Sequence, residues 1–70
     1  GILDYAYIPD FNPGVDTLQL NGVIGDYTFV PNTSVVFSNL NVTGQGIFRG
    51  GDLVAILQQS AANPGDLVFV

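Results

Sequence analysis

Short runs of apolar and polar residues alternate along this chain, and Gly or Pro interrupts them roughly every eight to twelve residues. "LQL" at 18–20 and "YTFV" at 27–30 repeat with a period of two, the signature of a strand with one face covered. The pattern predicts strands over Leu3–Ile8, Thr17–Leu20, Tyr27–Val30, Val35–Phe37, Gly46–Arg49, Leu53–Gln58 and Leu67–Val70. "LVAILQQSAA" at 53–62 suits helix or strand, and its first half reads as strand because it follows a tight turn. The expected fold is all-β, a small antiparallel β-sandwich or β-roll-like domain of about seven short strands, with residues 1–70 as one unit.

Turn chemistry supports this reading. In "IFRGGDLVAI", Gly50 and Gly51 can both take positive φ and close a two-residue hairpin, which sets Arg49 opposite Asp52. Asn-Pro-Gly occurs twice, at 12–14 and 63–65, each time ahead of an apolar strand. Pro in the second position and Gly in the third predict type II turns. Asn32-Thr33-Ser34 and Asn41-Val42-Thr43 match the glycosylation acceptor pattern and are read as polar loop positions.

Composition narrows the chemistry. The six acidic residues are all Asp, the one basic residue is Arg49, and the net charge is −5. Such a chain repels phosphate backbones, so nucleic acid is not an expected partner. His, Cys and Lys are absent, which removes imidazole bases, thiolate nucleophiles, Schiff bases and zinc sites of the usual kind. No catalytic activity is expected. No apolar run is long enough to span a membrane, and no basic segment leads an apolar one as in a signal peptide.

Oxygen is the ligand type this chain has to offer a metal, and oxygen ligands favour calcium. Asp10, Asn12 and Asp16 lie close enough along the chain to converge on one ion, with Asp4 as a further candidate. The spacing is not that of an EF-hand. The same residues also cap turns by bonding their own backbone, so both roles stay open here.

The run "YAYIPDFNPGVDTLQLNGVIGDYTF" resembles the segment that follows the glycine-rich repeats of bacterial hemolysin-type calcium-binding (RTX) proteins. The residues that carry the resemblance are Ile8, Asp10, Phe11, Asp16, Leu18 and Leu20, and "GDLVAILQ" and the closing "LVFV" add to it. It implies an extracellular, calcium-associated β module, with the Asp matching Asp10 closing the last turn of a calcium roll. The nonapeptide repeat that builds such a roll is missing from these 70 residues.

Segments such as "LVAIL" and "LVFV" are apolar on both faces and need cover on both. A domain this small, without disulfides, has little interior to offer. Either the terminal strands lie in the chain's own sheets, or one of them adds to the edge of a second copy. The second account is preferred: a non-catalytic extracellular module that self-associates into a fibre or surface layer, with calcium as a stabiliser. A calcium-binding cap of a larger RTX-like protein is the first alternative. A carbohydrate-binding module, stacking cell-surface glycans on Tyr5, Tyr7 or Tyr27, is the second. The expected core or interface residues are Tyr5, Tyr7, Phe11, Leu18, Leu20, Tyr27, Phe29, Phe37, Ile47, Phe48, Ile56 and Phe69.

Overall fold

The computed structural model describes residues 5–37 and 39–70. The start of the first predicted strand and Asp4 lie outside the described residues, as does the side chain of Phe37. Six strands form among the described residues: β1 (Ala6–Ile8), β2 (Leu18–Leu20), β3 (Tyr27–Phe37), β4 (Leu40–Arg49), β5 (Asp52–Gln58) and β6 (Leu67–Phe69). The all-β expectation holds. The two runs predicted at 27–30 and 35–37 are one strand, because a bulge between Val30 and Thr33 accommodates Pro31 without ending the ladder with β4.

A four-stranded sheet has the order β1-β5-β4-β3, and a second sheet pairs β2 with β6. The meander β3-β4-β5 is antiparallel as expected. Its tight turn sits at Gly50-Gly51, with φ of 58° and 90°, and Arg49 pairs with Asp52 across it. The other two ladders, β1 with β5 and β2 with β6, are parallel. Ala6 pairs with Ala55 and Leu18 with Leu67, each 49 positions apart. Residues 6–20 therefore form one strand–turn–strand layer, and residues 55–69 form a second that runs beside it in the same sense.

The two sheets meet over a core of Phe11, Leu20, Ile47, Ala55 and Leu57, with Ile8, Leu18, Phe29, Leu67 and Phe69 packed around it. Alternation sends Ala55 and Leu57 into this core, while Ile56, also fully buried, lies in the row Gly46–Ile56–Tyr7 of the opposite face. Both faces of "LVAIL" are thus covered, as an all-apolar strand requires. Val42, Ala55 and Leu57 join the buried set although they were not expected there, because small or aliphatic positions carry less pattern than aromatics.

Hydrogen bonds stitch the layers along their length. Tyr7 donates its hydroxyl to Gln58 Oε1 at 2.6 Å, Ser60 Oγ donates to the carbonyl of Phe11 at 3.0 Å, and Gly22 N–H donates to Val70 O at 2.8 Å. Beyond the second layer β4 covers β5, while β6 has no further neighbour among the described residues. Gln59 N–H donates to Thr43 O, Gln45 N–H to Ser60 O, and Gln45 Oε1 accepts from Ala62 N–H. Gly44 lets this happen: a Cβ there would lie 1.8 Å from Leu57 O.

Candidate functional site

Three Asp residues perform the same local task. Each sits at the end of a turn and accepts the N–H of the residue that opens it. Asp16 Oδ2 accepts from Asn12 N–H at 2.8 Å, Asp26 Oδ2 from Val23 N–H at 3.2 Å, and Asp66 Oδ2 from Asn63 N–H at 2.9 Å. In return, Asp16, Asp26 and Asp66 donate their own N–H to the carbonyls of Asn12, Val23 and Asn63. A strand follows each: β2 at Leu18, β3 at Tyr27 and β6 at Leu67. The carboxylate neutralises an otherwise unpartnered donor at the mouth of the turn.

The two Asn-Pro-Gly turns are not identical. The first has Gly14 at φ 83°, as a type II turn requires. The second is a 3-10 turn over Pro64–Asp66, and Gly65 is not among the glycines with positive φ. Asp66 follows Gly65 directly, so its carboxylate reaches Asn63 from three residues away; Val15 makes the same reach four residues long at Asp16.

Asp66 does more than close its own turn. It is 7% exposed, and its second oxygen, Oδ1, accepts the N–H of Gly14 from the first layer at 3.0 Å. One buried carboxylate thus joins both Asn-Pro-Gly turns and sets the layers in register. Sequence reasoning passed over Asp66. The signal was present in the parallel between the two motifs, each Asn-Pro-Gly followed shortly by an Asp.

Of the expected metal ligands, Asp10 is exposed just before the buried Phe11, and Asn12 and Asp16 are exposed and bonded to each other through the turn. Asp4 is outside the described residues. Among the described residues, no group of three or more Asp side chains comes together. Arg49, expected to meet Asp52, instead reaches Asp26 at 3.6 Å and lies 5.6 Å over the ring of Tyr27. The hydroxyl of Tyr27 bonds the carbonyl of Asn21, and its ring meets Phe69 at 6.0 Å. The hydroxyls of Tyr7 and Tyr27 are thus both engaged within the chain.

The fold leaves open, among the described residues, the outer edges of β1, β2, β3 and β6. Among the described residues, β1 pairs with β5 and with no other strand, and β2 pairs with β6 alone. Their outer edges lie at the same end of the stack. Neither strand contains a charge, a proline or a bulge. A hollow of about 390 Å³ is lined by residues from all of β1 to β5, among them Ala6, Leu18, Gln19, Tyr27, Arg49 and Val54. The free edge of β3 is different, since it carries Pro31 and the Val30/Thr33 bulge. Proline, bulges and charges are the usual means by which natural sheets blunt an edge, and β1 and β2 have none of them.

Compared with family models, with curated proteins and with solved structures, the chain matches none.

Proposed function

We propose that the chain is a non-catalytic structural module that accepts a strand–turn–strand segment on the β1–β2 edge, as a cap on a larger β structure. The observation that carries this reading is the contrast between its two ends. At one end the outer edges of β1 and β2 are both without a neighbouring strand among the described residues. At the other, β4 runs antiparallel over β5 and takes up the backbone groups of residues 59 and 60. Past β1 and β2 a full two-strand layer can add, whereas at the other end only β6 has an uncovered outer edge among the described residues; a body that takes a whole layer at one end alone terminates a stack. The cap is favoured over the self-assembling fibre for a second reason: the C-terminal strand β6, which a fibre would donate, pairs with β2 of its own chain.

Extracellular placement and calcium at Asp10 belong to the same proposal and are supported by the RTX-like run at residues 8–20. Asp16 has one oxygen already committed to its turn, which leaves Asp10 as the freer ligand. Sedimentation over a wide range of concentration, with calcium and with chelator, together with negative-stain microscopy, tests the whole. A cap sediments without forming filaments, and its β1 and β2 amides exchange faster than those of β4 and β5. Filaments that persist when β3 is blocked by a second proline would overturn the cap in favour of an open assembly.

A further inference from the structure

The internal seam between the two layers shows what a third layer would have to offer. Asp66 and Asp16 occupy equivalent places, each closing an Asn-Pro-Gly turn with Oδ2. Asp66 uses its remaining oxygen on the neighbouring layer, at Gly14 N–H. The remaining oxygen of Asp16 has no hydrogen-bond partner among the described residues, and its side chain is exposed at the turn between the two open edges. Resting on the strand-addition reading above, we propose that Asp16 is the docking residue of this edge: its free oxygen takes the backbone N–H of a turn glycine in a third strand–turn–strand layer running parallel to β1 and β2.

The occupant follows from continuity with the existing seam. Parallel pairing on β1 and β2 at once requires two strands joined by a turn, as residues 55–69 already provide on the other side. Apolar residues at inward positions continue the rows of Leu18 and Leu20 over the shared core. The turn between them must present a main-chain N–H beside Asp16, and a glycine allows the close approach that Gly14 makes to Asp66. Head-to-tail addition of a second copy does not meet these terms, because the outer edge of its β5 is held by β4 and only that of its β6 is uncovered.

The test uses the full chain, uniformly labelled with nitrogen-15, and a synthetic peptide of residues 5–22 as the third layer, in chelator. The peptide carries its own Asn-Pro-Gly turn. Saturable shifts are expected at β1, the 12–16 turn and β2. A peptide with N-methylglycine in place of Gly14 lacks the donor and is expected to bind about tenfold more weakly, the loss of one hydrogen bond to a charged acceptor. Asp16→Ala in the chain should weaken binding similarly, and Asp52→Ala should leave it unchanged. Equal binding of the methylated and plain peptides overturns the role of Asp16 and leaves strand addition standing. No saturable shift, or shifts gathered at β3, overturns strand addition at this edge altogether. A concentration-dependent dimer that excludes the peptide overturns both by seating a second copy there.

Discussion

Asp66 holds the main-chain N–H of Gly14, 52 residues away, at 3.0 Å while it closes its own turn on Asn63. The carboxylate is buried, and both of its bonds are to backbone donors that no other group serves. Replacing it with Ala strands two N–H groups, one of them at the layer seam. Asp66→Ala should therefore cost about 3 kcal/mol. For a domain of this size that corresponds to a fall in Tm of roughly 10–25 °C. Asp66→Asn, which keeps one acceptor, should fall between. The control is Asp52→Ala, exposed at the hairpin and expected to stay within about 0.5 kcal/mol. Urea unfolding of the three variants checks the order.

Gly44 is a place where main-chain atoms leave no room for a side chain. A Cβ would meet Leu57 O at 1.8 Å and Gln59 N at 2.8 Å, both main-chain atoms that cannot swing aside. Gly44→Ala should force β4 and β5 apart and cost about 3 kcal/mol, at the upper end for overpacking. Gly14 is the useful contrast. Nothing lies within 4 Å of its would-be Cβ, and the objection to Ala there is φ of 83° alone. Gly14→Ala should cost about 1–2 kcal/mol. Circular dichroism melts of the two variants separate steric from conformational cost.

Leu57 is fully buried in the shared core, where both sheets touch it. Leu57→Ala removes three carbons from a small interior and should cost about 2–5 kcal/mol. In a domain of this size a loss in that range exceeds much of the total stability, so the variant is expected to be largely unfolded at room temperature. One-dimensional proton spectra, read for dispersed methyl signals, decide this directly.

The pair Arg49–Asp26 is about half exposed on both sides, at 3.6 Å. Exposed pairs contribute about 0.2–1 kcal/mol and are screened by salt. Arg49→Gln should thus lower Tm by a few degrees in dilute buffer and by less at high salt. A salt-independent loss would transfer the effect to the packing of the Arg49 stem on Tyr27.

The sequence carried the local structure of this molecule well and its long-range structure poorly, for a physical reason. Gly50-Gly51 specifies a tight hairpin because only its backbone fits, so the register of Arg49 and Asp52 could be read directly. Leu18-Gln19-Leu20 specifies a strand with two inward residues, but the same alternation serves a parallel or an antiparallel neighbour. The parallel ladders were therefore not foreseen. Asp residues beside turns posed a similar ambiguity, since capping a turn and binding a cation use the same oxygens. Asp16, Asp26 and Asp66 resolve it toward capping only once Asn12, Val23 and Asn63 are seen at hydrogen-bond distance. Asp66 escaped notice because a second motif 51 positions after Asn12 gives no hint from spacing that the two turns touch.

The 49-residue separation within both parallel ladders carries a kinetic consequence. A nascent chain emerges from the ribosome with β1 and β2 first, and neither finds its neighbour until β5 and β6 have also been synthesised. The hairpins β3-β4 and β4-β5 can close locally in the meantime, but the N-terminal segment must wait, greasy and unpaired. Such non-local closure is slow compared with hairpin formation. Refolding should therefore proceed through an early three-stranded intermediate, with β1 and β2 zipping onto β5 and β6 last.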